Sequence, residues 1–197
     1  LLPCALLESG VCRRMILADV SPKALQHARE QVQQRGLADR AQLVCADGLN
    51  ALTEKTGCVS ITGMGGRTMA DILQKGAARL QGAALVLSAH TDQELVRRAV
   101  QQLGYHLTAE RLCRAAGRFY LVWKAIPGAQ TMGEDELALG TQLLLESRDP
   151  LLPEYLRWRQ WVLERKLAGL EHDAQNRAGE VEALRRQLGI LRRNDAC

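Results

Sequence analysis

Short apolar runs alternate with amphipathic stretches over the first two thirds of the chain, and a longer helical rhythm takes over after that. "RMILADVS" (14–21) is a compact apolar run closed by an acid, the pattern of a buried parallel strand. Ser21 with Pro22 behind it reads as a helix cap and first turn, and Leu25, Ala28, Val32 and Leu37 keep a helical spacing that Gly36 ends. "AQLVCADGL" (41–49) and "GCVSITGMGG" (57–66) read as further strands, the second leading into the helical "RTMADILQKGAARL". "AALVLSAH" (83–90) is another strand, and Thr91 is the expected cap of a helix through Leu103, stopped by Gly104. Residues 1–8 read as the end of a short helix stopped near Gly10. This alternation predicts an α/β fold, a parallel sheet with helices on both faces.

From Tyr105 to Ile126 the pattern becomes two strands around a turn at Ala115–Gly117, an antiparallel hairpin on the sheet edge. Pro127–Gly128 is a linker signal. Beyond it, Leu156, Leu163, Leu167 and Leu170 form one helical stripe, and Val181, Leu184, Leu188 and Leu191 form another. With a break near Asp173–Gly179, they predict an αα-hairpin of coiled-coil character, with Trp158 and Trp161 buried between its helices and the core. The expected division is 1–127 for the sheet domain and 128–197 for the helical domain.

Composition narrows the picture modestly. With 197 residues and 47% hydrophobic content the chain can bury a real core, and no apolar run is long enough to span a bilayer. A formal charge of +4 permits a nucleic-acid partner without requiring one. None of the six cysteines stands in a CxxC pair, so a zinc site is not expected, and all six read as reduced thiols of a cytoplasmic protein.

The candidate chemistry sits at strand ends. Asp19 and Asp47 close consecutive strands, where an open α/β sheet places its ligand crevice. A carboxylate accepts from both hydroxyls of a ribose, so Asp19 is a candidate ribose clamp; Asp47 could accept from an adenine amine. Each acid could instead simply cap the helix that follows. The loop "GMGGRT" lacks the lysine and the spacing of a P-loop, and it follows the ribose acid where a dinucleotide glycine motif would precede it. Two readings remain for Gly63 and Gly65: close approach of main chain to a flat ligand, or a tight strand–helix turn.

Acid, acid-glycine and glycine loop on successive strands, followed by a hairpin, resemble class I S-adenosylmethionine-dependent methyltransferases. The closer resemblance is to the bacterial tRNA (adenine(22)-N(1))-methyltransferase family, whose "GDGL" stands here as "ADGL" (46–49). The family's "IxGMGG" is intact at 61–66, and "ILQKG" and "GRFY" (117–120) match later motifs. The resemblance implies a Rossmann-like fold and methyl transfer from S-adenosyl-L-methionine to N1 of an adenine at tRNA position 22, without a metal. It places Asp19, Val20, Asp47, Gly48, Gly63, Met64 and Gly65 at the cofactor, and Arg67, His90, Arg118 and Tyr120 at the tRNA. Arg185, Arg186, Arg192 and Arg193 are further candidates for RNA backbone. Of the family's opening strand, glycine turn and acid only Leu2–Pro3 remains, and "SAH" (88–90) and Leu121 replace "QPN" and an acid. The resemblance places that strand between those ending at Asp19 and at Gly63. Without it the catalytic residue is unassigned, and the chain alone is expected not to methylate. A non-catalytic RNA-binding or scaffold remnant is the alternative.

Overall fold

The computed structural model describes residues 2–170 and 176–194. Its elements run α1 (Leu2–Glu8), β1 (Met15–Asp19), α2 (Pro22–Gln34), β2 (Ala41–Cys45), β3 (Cys58–Met64), α3 (Gly66–Lys75), α4 (Ala77–Leu80), β4 (Ala84–Ala89), α5 (Gln93–Gln102), β5 (Tyr105–Ala115), β6 (Arg118–Pro127), α6 (Glu134–Leu139), α7 (Gln142–Leu145), α8 (Leu152–Leu170) and α9 (Ala178–Asn194). Two compact units emerge, one of Leu1–Gly57 and Asp71–Ala83, the other of Cys58–Ala70 and Ala84–Cys197.

In the first unit β1 and β2 pair in parallel, Met15 opposite Ala41 through Asp19 opposite Cys45. The crossover helix α2 begins as the sequence predicts: the Ser21 hydroxyl accepts from the Ala24 N–H at 3.3 Å, and Pro22 occupies the first turn. Leu25 and Val32, seven residues apart, are buried. Cys4 and Leu7 of α1 pack with Val32, Leu37 and Ala41, with Met15, Leu17 and Leu43 half-buried against them. Among the described residues β1 has a ladder partner on one edge only.

The second unit is built on a four-stranded sheet of order β3-β4-β6-β5. β3 and β4 are parallel; β6 runs antiparallel to both β4 and β5. The β5–β6 turn is a two-residue one, Ala116 (φ 48°) and Gly117 (φ 72°), whose left-handed pair matches the strand twist. β3 buries Val59 and Ile61 but exposes Ser60 and Thr62, so only one of its faces is covered. It too lacks a second ladder partner among the described residues.

Arg97 of α5 and Glu110 of β5, both fully buried, organise this unit's core. Glu110 Oε1 accepts from Arg97 Nε at 3.1 Å, Arg97 Nη2 at 3.0 Å and the Trp123 indole N–H at 2.5 Å. Its Oε2 accepts from the Thr141 N–H and hydroxyl, both at 2.5 Å. Arg97 Nη1 donates to the Leu137 carbonyl at 2.9 Å, so the 137–141 segment is fastened to the sheet by a fully paired charge cluster.

Several sequence expectations are corrected in detail. Thr91 is not the cap of α5; Asp92 holds that position in the left-handed region (φ 51°), and the Thr91 hydroxyl donates to its carboxylate. Trp161 is not buried: it is 52% exposed, and Trp158 is half-buried. Neither side chain is apolar all over, so each tolerates water on one edge. The stretch after Gly128 is not helical throughout, because α6 and α7 are single short helices separated at Gly140 (φ 139°). The hairpin break placed near Asp173–Gly179 falls partly outside the described residues. Leu163, Leu170, Val181, Leu184, Leu188 and Leu191 do share one core, as their stripes predict. Thus the helices after 128 belong to the same compact unit as the four-stranded sheet.

Charge pairs tie α9 to that unit. Arg186 bridges Glu94 (2.8 Å) and Glu134, and Gln187 donates to Glu94 at 2.7 Å. Burial of Glu94 opposes its ionisation, but hydrogen bonds from Arg98, Gln187 and Arg186 outweigh this and hold its carboxyl below the usual value. A depressed carboxylate stabilises the fold above its unfolded pKa, and that contribution vanishes as pH falls through the folded pKa. Glu94→Gln should therefore melt lower than wild type at neutral pH. The gap should close as pH drops from about 5 to about 3, across the carboxylate range. Melting temperatures followed by circular dichroism check this; a gap independent of pH would contradict it.

Candidate functional site

Strand β1 delivers Asp19 and β2 leads into Asp47 at the same end of one parallel ladder. Asp19 stands opposite Cys45, and the Ala46 N–H donates to the Asp19 carbonyl at 3.3 Å. Asp19 partly serves the turn, since its Oδ1 accepts from the Ser21 N–H at 2.8 Å. Asp47 precedes a short 3-10 turn, Gly48–Ala51, yet makes no side-chain cap bond to it. Neither acid caps the helix that follows: Ser21 caps α2, Asp19 braces the cap residue's own N–H with one oxygen, and Asp47 makes no cap bond. Val20, 63% exposed, presents an apolar surface directly after the first acid. Gly48 turns in the left-handed region (φ 52°), and a Cβ there would stand 3.1 Å from Ile72. Acceptor, exposed apolar residue and second acceptor form a set that fits a nucleoside: hydroxyls on Asp19, an aromatic face against Val20, an amine on Asp47. These four residues belong to the first unit.

The second unit holds the other candidates. At Gly63 (φ 82°) the β3–β4 register slips between Thr62 and Met64, so the strand ends in a bulge. The Met64 carbonyl accepts from the His90 N–H at 2.9 Å, and the Gly66 N–H donates to the Thr91 carbonyl at 2.9 Å. Two loops, 63–66 and 90–92, are thus laced together by main chain. The His90 and Tyr120 rings meet edge to face with centroids 5.9 Å apart. Arg118 lies two positions before Tyr120 on β6, hence on the same face of the strand. Arg67 is exposed on the first turn of α3. The structure thereby groups Met64, His90 and Tyr120, with Gly63 and Gly65 beside Met64 in the loop.

The glycines divide by role. A Cβ on Gly66 would lie 2.4 Å from the Asp92 carbonyl oxygen and 2.5 Å from that of Thr91, so this glycine serves internal packing. A Cβ on Gly65 would meet only the Thr91 hydroxyl, at 3.2 Å, and a side chain can yield where a backbone cannot. Gly66→Ala should therefore cost about 1–3 kcal/mol of stability, the range for forced overpacking. In a protein extended by the family's opening strand, Gly65→Val should leave the melting temperature nearly unchanged while abolishing methyl transfer. Thermal melts beside an activity assay separate the two; normal activity in folded Gly65→Val would reduce the loop to a turn.

Sequence reasoning missed the Arg97–Glu110–Thr141 cluster, because its members lie far apart in the chain and no local pattern joins them. The α9 arginines were legible as charge but not as pairs: three of the four candidates have acidic partners, and Arg185 is exposed without one among the described residues. Arg192 bonds Glu164 at 3.0 Å, Arg193 faces Asp135 at 3.5 Å, and Arg186 is held as described. Among the described residues no group of three His, Cys, Asp or Glu side chains is placed to hold a metal, and no helix is long and apolar enough to cross a membrane.

Residues 1–190 match the family model of tRNA (adenine(22)-N(1))-methyltransferases. A curated Bacillus subtilis tRNA (adenine(22)-N(1))-methyltransferase is 25% identical over 146 residues, which span 73% of this chain and 61% of the relative's length. A Streptococcus pneumoniae structure, a candidate tRNA (m1A22) methyltransferase in complex with S-adenosyl-L-methionine, is 27% identical with a TM-score of 0.78. That match covers 95% of this chain and 86% of the other. A Streptococcus agalactiae protein of the NADB-Rossmann superfamily superposes with a TM-score of 0.85 at 24% identity, covering 98% and 85% of the two chains, which confirms the Rossmann-like α/β fold.

Proposed function

This chain belongs to the tRNA (adenine(22)-N(1))-methyltransferase family, and from that membership we propose that its fold serves transfer of a methyl group from S-adenosyl-L-methionine to N1 of an adenine in tRNA. The observation that carries the reading is the pair of carboxylates, Asp19 and Asp47, at one end of a parallel ladder with Val20 exposed between them in sequence. The target is adenine 22, as the family name implies, and the setting is cytoplasmic.

Bound cofactor supplies an electrophilic methyl on a sulfonium, and adenine N1 offers a neutral lone pair, so the protein's task is positioning and exclusion of water. Asp19 accepts from the ribose hydroxyls with the oxygen its own turn leaves unused. Asp47 accepts from the adenine amine, and Val20 covers the purine face. Main chain at Gly63–Gly65 lies along the target base after it leaves its stack. Tyr120 offers that base an edge or a face, fixed by its contact with His90. Arg118 and Arg67 meet neighbouring phosphates. Residues 1–127 carry this chemistry, and residues 128–197 hold the body of the RNA.

Calorimetric titration tests the carboxylates directly. In a protein extended by the family's opening strand, Asp19→Ala should weaken S-adenosylmethionine binding by about 1.5–3 kcal/mol, the range for a hydrogen bond to a charged group. Unchanged affinity in both Asp19→Ala and Asp47→Ala would remove the assignment. The alternative, an RNA-binding remnant without catalysis, draws on the single-sided pairing of β1 and of β3; it predicts tRNA binding with no cofactor affinity under any condition.

A further inference from the structure

Helix α8 carries more positive charge on its outer face than its acids balance. Both acids of the helix are engaged elsewhere: Glu154 pairs with Arg114 at 2.7 Å, and Glu164 with Arg192 at 3.0 Å. Arg157 and Arg165 are exposed and have no acidic partner among the described residues. Between them stands Trp161, four residues from each, so the three share one stripe of the helix. Trp161 is 52% exposed, and the Arg165 guanidinium lies over its ring at 5.1 Å. One turn back, Trp158 packs on Phe119 with centroids 5.6 Å apart, and Arg114 covers that ring at 5.5 Å. The result is a row of interleaved cations and aromatic rings from the β5–β6 hairpin tip along α8.

We propose that this row is a second RNA contact, in which Trp161 stacks an unpaired base and Arg157 and Arg165 neutralise the flanking phosphates. The inference rests on the tRNA reading above and extends it to residues not assigned there. Cations alternating with flat rings suit single-stranded or looped RNA, because every base has a stacking face and every linkage a charge. A bilayer would need a continuous apolar stripe, but α8 buries Tyr155, Leu163 and Leu170. The row is separate from the base-holding group. Phe119 and Tyr120 are adjacent on β6 and point to opposite faces of the sheet. It also differs from α9, where Arg186, Arg192 and Arg193 are held by Glu94, Glu134, Glu164 and Asp135.

The test is binding of an unmodified bacterial tRNA transcript by the whole chain across a salt series. Trp161→Ala should weaken binding about five- to one-hundred-and-fifty-fold, the range for one lost stacked base. Arg157→Gln with Arg165→Gln should flatten the slope of log K against log salt by about 1.4–1.8, two phosphate contacts' worth. Arg192→Gln should leave the slope unchanged. All four positions are exposed, and melting curves verify that each variant is folded. Binding by wild type that the row variants share unaltered, or a slope lost equally in Arg192→Gln, would overturn the row and leave the tRNA reading standing. Failure of wild type itself to bind tRNA would overturn both.

Discussion

Arg97→Met is expected to lower stability by about 3–5 kcal/mol, the cost of leaving a buried charge without its partner. Methionine fills much of the arginine's volume, so the loss is electrostatic rather than a cavity. Glu110 would keep its bonds from Trp123 and Thr141 but lose two charge-assisted ones, and the Leu137 carbonyl would lose its donor. For a chain of this size the melting temperature should fall by roughly 6–20 °C. Arg97→Lys should recover little, since a single ammonium cannot reproduce the guanidinium fork. Hydrogen exchange offers a second readout. Amides of 137–145 should exchange faster than those of β4, because the cluster fastens that segment to the sheet. A melting shift under about 2 °C, at most about one kcal/mol at this chain length, would contradict a contribution of that size.

Why this cluster escaped the sequence while Asp19 and Asp47 did not is a matter of range. Strand-closing acids, the Ser21–Pro22 cap and the Ala116–Gly117 turn are local signals, each set by sterics or hydrogen bonds within four residues. Leucine stripes likewise report which faces of α8 and α9 are buried. Partners on different elements, beyond the reach of local patterns, leave no such trace. Arg97 looks like any helix arginine until β5 brings Glu110 beside it. Likewise Arg186 looks like a phosphate ligand until Glu94 and Glu134 are found against it. Gly66 could be recognised as a turn glycine, but only the 90–92 loop beside it shows what excludes a side chain. Exposure of Trp161 was equally invisible, because aromatic periodicity marks a face without saying what covers it.

The second large effect concerns the strand edges. β1 and β3 are parallel strands, and each has an unpaired edge among the described residues. Parallel strands are ordinarily paired and covered on both sides; here Met15, Ile16 and Leu17 are only half-buried. Every backbone group left without a ladder partner away from water costs about 1–3 kcal/mol. Asp19 stands at the tip of β1, so any loosening of that strand would pass directly to the proposed ribose contact. Residues 1–197 alone should therefore bind S-adenosylmethionine below detection and melt broadly. Fusing a strand-plus-helix segment of about thirty residues ahead of Leu1, of βαβ size, should sharpen the melt and restore binding.

Tritiated methyl transfer from S-adenosylmethionine to unmodified bacterial tRNA, run with and without that segment, tests the central claim most directly. Primer extension then locates the product, because a methyl group on N1 blocks base pairing. The account predicts transfer to a single adenine, position 22, by the extended protein and none by residues 1–197. No transfer by either form, or robust transfer by residues 1–197 alone, would contradict it.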